Sequence, residues 1–214
     1  MDRQPSEPHP IDGHPVGPGP ALAPLALNGR HVGLEPLRPE HVHELWDVQD
    51  ERTWDYMIPS GVRTPFDLKV WVQSRLAAQA QATALAFLLR DALGRAAGSS
   101  SLFDYDRAGR RIEIGHTWVA PHARRSGLNT EAKLLLMRHA FQTLGVNRLQ
   151  LKTDARNDRC QKAIERLGAT REGLLRSWIT LPDGHLRDTV MFSIVRAQWP
   201  DVEERLLGLL ASHV

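Results

Sequence analysis

Residues 112–133, Ile112-Glu-Ile-Gly-His-Thr-Trp-Val-Ala-Pro-His-Ala-Arg-Arg-Ser-Gly-Leu-Asn-Thr-Glu-Ala-Lys133, read as a strand that enters a short loop with two arginines and one glycine and turns at once into a helix. The first N–H groups of a helix have no partner within it, and its peptide dipoles leave partial positive charge at that end, so such a loop suits an anion. Gly127 lets the backbone approach a phosphate closely, Arg124 and Arg125 add charge, and Thr130 offers a hydroxyl. A pyrophosphate fits this description, and so does an ordinary strand-to-helix turn with a basic pair on its surface. The stretch is not a P-loop, because no Gly-Lys-Ser/Thr follows, and it is not a dinucleotide fingerprint, because Gly-x-Gly-x-x-Gly is missing.

Working outward, two apolar runs at 85–90 and 97–103 precede this strand, and the three together predict an antiparallel meander. Residues 31–37 predict a strand, Pro39 opens a helix with Val42, Leu45 and Trp46 on one face, and a helix from about Pro65 carries Leu68, Trp71, Val72 and Leu76. Downstream, a helix over 130–144 keeps Leu134, Met137, Phe141 and Leu144 in register up to Gly145, and 149–153 alternates as a strand. Cys160, Ala163, Ile164 and Leu167 form a helical stripe that stops at Gly168. Residues 173–180 and 187–195 predict strands joined through Pro182-Asp183-Gly184, and a last helix spans about 202–210. The result is a mixed α/β sheet without internal repeats.

Of the 214 residues, 42% are hydrophobic and 24% charged, enough for a core within a single domain over 28–214. Residues 1–27 hold seven of the fourteen prolines and are expected to form a disordered tail. That tail carries Asp2, Glu7 and Asp12 against Arg3 alone, so the body of a chain with net charge +2 carries +4. This is far from the dense positive field of a nucleic-acid binder, and no nucleic-acid partner is expected. No apolar run is long enough to cross a bilayer, no secretory signal is visible, and Cys160 is the only cysteine, so a soluble cytoplasmic protein without a membrane partner is expected. The ten histidines show no ligand spacing, and no metal is expected.

Arg124-Arg-Ser-Gly127-Leu-Asn129 resembles the acetyl-CoA signature of the GNAT acetyltransferase superfamily, Gln/Arg-x-x-Gly-x-Gly/Ala. Segments 27–37, 112–115, 129–132, 157–168 and 187–193 resemble its ribosomal-protein N-acetyltransferase (RimJ/RimL-like) branch, and the likeness covers about residues 27–200. One departure is Asn129, where most members carry glycine or alanine. The resemblance implies the GNAT fold, an α/β (α+β) architecture. Its central sheet is mostly antiparallel, with about seven strands splayed between the fourth and fifth, about four flanking helices and a C-terminal helix. It implies acetyl-CoA as cosubstrate and an amine acceptor, a small molecule or a protein N-terminus, that attacks the thioester directly in a ternary complex. Arg124, Arg125, Ser126, Gly127, Leu128, Asn129 and Thr130 would then hold the pyrophosphate. The backbone of Trp118 and Val119 and the side chain of Asn157 would hold the pantetheine arm. The alternative for Asn157 is a plain helix N-cap.

Within that resemblance Glu113 stands where several members carry a glutamate base that acts through water; its structural alternative is an ion pair with Arg110 or Arg111. His116 is the runner-up base, although alternation puts it on the opposite sheet face unless a bulge intervenes. Cys160 stands where the branch usually has a serine near the coenzyme sulfur, yet it also belongs to an apolar stripe, and core packing is the preferred reading. Trp54 and Tyr56 are expected to line the acceptor site, with Trp46 and Trp71 in the core. A non-catalytic acyl-CoA-binding module is the second reading. Acceptor identity and oligomeric state, a homodimer included, stay open.

Overall fold

The computed structural model describes residues 18–58 and 61–212. Eight strands, β1 (Leu27–Asn28), β2 (Val32–Pro36), β3 (Leu85–Asp91), β4 (Ala96–Asp106), β5 (Arg111–Val119), β6 (Arg148–Asp154), β7 (Thr170–Thr180) and β8 (Leu186–Val195), form one sheet in the order β1-β2-β3-β4-β5-β6-β8-β7. Neighbours are antiparallel except β5 and β6, which run parallel and pair only from Arg111 opposite Arg148 to Glu113 opposite Gln150. Beyond Glu113 the two strands diverge, which opens the sheet into a V. The expected sheet of about seven strands gains the two-residue β1, so the splay expected between the fourth and fifth strands falls between β5 and β6.

Helices α1 (His41–Val48) and α2 (Pro65–Ala80) cover one face of the sheet, and α3 (Leu128–Arg138), α4 (Asp158–Arg166) and α5 (Trp199–Ala211) cover the other. Strand β3 is buried on both sides, which explains its unbroken apolar run. Leu85, Phe87 and Leu89 face the α3–α5 core, whereas Ala86 and Leu88 face the α1–α2 core. Each large aliphatic or aromatic side chain so buried contributes ~1.5–3 kcal/mol of transfer free energy. Helix α2 starts as proline and caps dictate: the Thr64 side chain accepts the Asp67 N–H, Asp67 reaches back to Thr64, and Pro65 takes the first turn.

Two expectations change. Residues 18–27 pack on the body instead of continuing the tail: Gly19 N–H donates to Arg107 O at 3.0 Å, and Leu22 joins the α3–α5 core, where its side chain leaves water. The part of the tail before residue 18 lies outside the described residues. The helix expected through Leu144 ends at Arg138, and a π turn over His139–Thr143 follows, with Val146 N–H bonded to Ala140 O. Gly145, at φ 66°, then takes the left-handed exit that its sequence position predicts.

Candidate active site

Strand β5 carries one irregularity on which the site is built. Ser101 faces Gly115 and Ser99 faces Trp118, so His116 and Thr117 both stand opposite Ser100, and His116 adopts φ 49°. This is the bulge on which the facing of His116 depended. It brings the imidazole onto the Glu113 side, 4.4 Å between ring centroids from Phe103, and in hydrogen bond with Arg75 of α2. Burial, with the Arg75 cation adding to it, pushes the His116 pKa down to about 3, so this ring is neutral at working pH and too weak a base to deprotonate an ammonium. Thr117 is turned to the opposite face, where Lys133 Nζ of α3 donates to its Oγ1 at 2.7 Å. Lys133 is 6% exposed and has no carboxylate partner among the described residues; burial pushes its pKa down to about 8.

On the α1–α2 face, Glu113 is 3% exposed where the V begins. Its partner is neither Arg110 nor Arg111 but Lys152 of β6, Nζ to Oε2 2.7 Å, with Gln150 Nε2 donating at 3.0 Å. Burial pushes the Glu113 pKa up, and the Lys152 ammonium pulls back against it. Trp178, half exposed, lies over the Lys152 ammonium, and Tyr56 lies under the Arg156 guanidinium, which pairs with buried Asp154. Arg187, 5% exposed, adds a second cation 3.5 Å from Asp154.

The loop before α3 keeps a run of free donors. Arg125 and Gly127 both take left-handed backbone, φ 64° and 79°, and among the described residues the N–H groups of Arg125, Ser126, Gly127, Leu128, Asn129 and Thr130 reach no acceptor in the chain. Helix pairing begins at Glu131 N–H to Gly127 O, 3.0 Å. Arg125 is exposed, whereas Arg124 turns away: it donates to Val119 O and pairs with Asp50 at 2.8 Å. Ser126 Oγ donates to Ala123 O, and Thr130 Oγ1 accepts from Arg166 of α4 at 3.0 Å. The side chain of Asn129 is half buried, and its Oδ1 has no partner.

The remaining expectations sort by burial. Trp54 is a correction: fully buried, it stacks edge-on to Trp71 and tilts against Trp118, with its Nε1 donating to Gln49, so it is core and not an acceptor-lining residue. Trp118 likewise commits its side chain to the α1–α2 core and leaves only backbone to the V. Asn157 caps α4 through its Oδ1, which accepts the Cys160 N–H at 3.0 Å, and Cys160 packs against the α3–α5 core while half exposed. Lys133, Lys152, Arg166 and Trp178 escaped the sequence reading. Only Lys133 carried a visible signal, a lysine on the stripe of Leu136, Met137 and Ala140. Among the described residues no cluster of His, Cys, Asp or Glu could hold a metal ion, and no helix is long and apolar enough to cross a membrane.

Comparison with known proteins agrees with this geometry. A family model described as an acetyltransferase (GNAT) domain matches residues 31–170. YdaF of Bacillus subtilis, by name a candidate ribosomal N-acetyltransferase, is 30% identical over 106 residues, which cover 50% of this chain and 57% of YdaF. The chain spans about half the length of the curated relatives it matches. A GCN5-related N-acetyltransferase from Brucella melitensis superposes with a TM-score of 0.82 at 28% identity, over 89% of this chain and 87% of that one. RimJ of Mycobacterium smegmatis, solved in complex with CoA-disulfide, superposes at 0.71 and 22% identity over 83% and 88% of the two chains, a likeness of fold. Since the family model spans well over half of the sequence, the chain belongs to the GNAT acetyltransferase family.

Proposed function

We propose that the protein transfers the acetyl group of acetyl-CoA to a primary amine by direct attack in a ternary complex. The observation that carries this reading is the run of six acceptor-free N–H groups from Arg125 to Thr130, at the start of α3 and next to the open V. A pyrophosphate satisfies these donors, with charge from Arg125 and Arg166, while Arg124 braces the loop against Asp50. Beyond Glu113 the edge of β5 has no partner in β6, which leaves backbone groups for the pantetheine arm, and the amide nitrogen of Asn157 is free of the cap.

The chemistry then divides across the sheet. On the α1–α2 face Glu113 takes the proton of the acceptor ammonium, directly or through a water, and the neutral amine attacks the thioester carbon. Backbone N–H near Val119 meets the oxygen as negative charge develops. The C–N bond forms, the C–S bond breaks, and the coenzyme leaves as a thiolate toward the α3–α4 side, where the Lys133 ammonium and the Cys160 thiol are the available donors. The nitrogen gives up its remaining ammonium proton as the tetrahedral intermediate collapses to the amide.

The test is a thermal shift with acetyl-CoA, against desulfo-CoA and adenosine diphosphate, followed by thiol release with a panel of amines. Ligand at ~100 times its dissociation constant stabilises a fold by ~2.7 kcal/mol, an easily read shift. A saturable shift with amine-dependent thiol release is expected. No shift at millimolar acetyl-CoA removes the cofactor site, and a shift without thiol release from any amine leaves a binding module.

A further inference from the structure

A cavity of about 180 Å3 lies between α2 and the sheet beside Glu113, lined by Arg75, Thr83, Ser101, Phe103, Asp104 and His116 among others. Three features mark it as built for a ligand. The Arg75 guanidinium is half buried over the Trp71 ring and touches only neutral partners, Ser74 Oγ and the His116 imidazole, with no carboxylate at ion-pair distance among the described residues. Burial lowers the Arg75 pKa, and Asp104, the carboxylate that opposes this, acts across the cavity from beyond ion-pair distance, so the partly buried cation is only partly compensated. Ser101, 1% exposed, carries a hydroxyl with no hydrogen-bond partner. The far rim is of opposite sign: Asp104 lines the cavity, and Phe103, its neighbour in β4, stands opposite Glu113.

A ligand that satisfies all of these has a carboxylate at one end and an ammonium at the other. We propose that this cavity is the acceptor subsite for a short aminocarboxylate, whose carboxylate pairs with Arg75 and accepts the Ser101 hydroxyl while its ammonium faces Asp104 and Glu113. The inference rests on the acetyl-transfer reading for its orientation and names the acceptor class. Lys152, 4.0 Å from Asp104 and bonded to Glu113, moderates the acidic rim so that the ammonium is held without being trapped.

The experiment uses linear ω-amino acids from glycine to 6-aminohexanoate and the amide of each. Binding to the CoA-saturated protein is measured by titration calorimetry, and thiol release from acetyl-CoA by steady-state kinetics, for the wild type, R75Q and S101A. At least one acid is expected to bind and react tenfold or more better than its amide, with the difference lost in R75Q and reduced severalfold in S101A. Acids and amides that bind alike across the series, or an acid preference that survives R75Q, overturn the subsite. S101A removes a hydroxyl that bonds to nothing in the protein, so it folds and decides the matter should R75Q be unstable. Arg75-dependent binding of an acid without thiol release keeps the subsite and removes acetyl transfer. Thiol release indifferent to the carboxylate does the reverse.

Discussion

Lys152 Nζ lies 2.7 Å from Glu113 Oε2, reaching from the stretch of β6 just past its pairing with β5 to the last β5 residue that pairs with β6, so the ion pair spans the apex of the V. Burial raises the Glu113 pKa and the ammonium lowers it. Removing the cation in K152M leaves only the Gln150 hydrogen bond against burial, so the Glu113 pKa rises and the acidic limb of the kcat/KM profile moves to higher pH. E113Q should lose turnover with coenzyme affinity kept. Coincident acidic limbs for K152M and wild type would show that Glu113 is not the titrating base.

Lys133 invites a test in which stability and activity move in opposite directions. Its ammonium is buried, hydrogen-bonded only to Thr117, and its pKa is pushed down to about 8. K133M replaces a buried charge with an apolar chain of similar length, so the apo protein should gain on the order of 2 kcal/mol at pH 7, a higher Tm. Turnover should fall, because the leaving thiolate loses its nearest cation. A variant that is both more stable and fully active would make Lys133 a bystander of the reaction.

The two arginines of the signature separate in the same way. Arg125 is exposed beside the free N–H groups, while Arg124 is committed to Asp50 and Val119 O. R125A, and R166A beside Thr130, should each weaken acetyl-CoA binding roughly tenfold, the loss of one charge-assisted contact of ~1.5–3 kcal/mol. R124A should weaken it less and should lower Tm. Calorimetric titration of the three variants ranks them, and equal effects of R124A and R125A would contradict the division.

Most of the fold was legible because hydrophobic period and punctuation coincide along this chain: Pro65 and Thr64 open α2, and Gly168 follows the end of α4 as spaced. The free donors before α3 were legible for the same reason. What the sequence hid are contacts across it. The bulge at His116 follows from one extra residue against Ser100 and leaves no mark in composition. Trp54 reads as an exposed loop aromatic until Trp71 and Trp118 close over it. Lys152 looks like the polar half of an alternating strand, and only strand order brings it to Glu113.

Two of the family-like motifs turn out to be a single contact. The Glu131 carboxylate, in the first turn of α3, accepts the N–H groups of Arg30 at 2.9 Å, His31 at 2.5 Å and Val32 at 3.0 Å, and a Cβ at Gly29 would overlap it. E131A strips acceptors from all three donors and should cost about 3 kcal/mol in urea unfolding, each orphaned donor counting for ~1 kcal/mol. G29A should be destabilising by a similar mechanism, since the methyl group must displace the carboxylate. If E131A unfolds at the wild-type urea midpoint, the turn is held by β1–β2 pairing alone.

His116 sets the acid limit of the fold. Its pKa is about 3 when folded against 6.5 when free, so between these values the unfolded chain binds a proton that the folded chain refuses. Stability therefore falls as pH drops from 6.5 toward 3, by up to ~1.4 kcal/mol per unit from this one group. His116→Asn keeps a side chain tolerant of positive φ and removes the titration. Urea unfolding at pH 6.5 and 4.5 should show a loss about 2 kcal/mol larger in the wild type than in H116N, since acidic groups such as Glu172, held at about 2 by Arg148 and Ser193, contribute equally to both. Equal losses would mean that the cavity opens to water around the imidazole at low pH, and that Arg75 does not hold it closed.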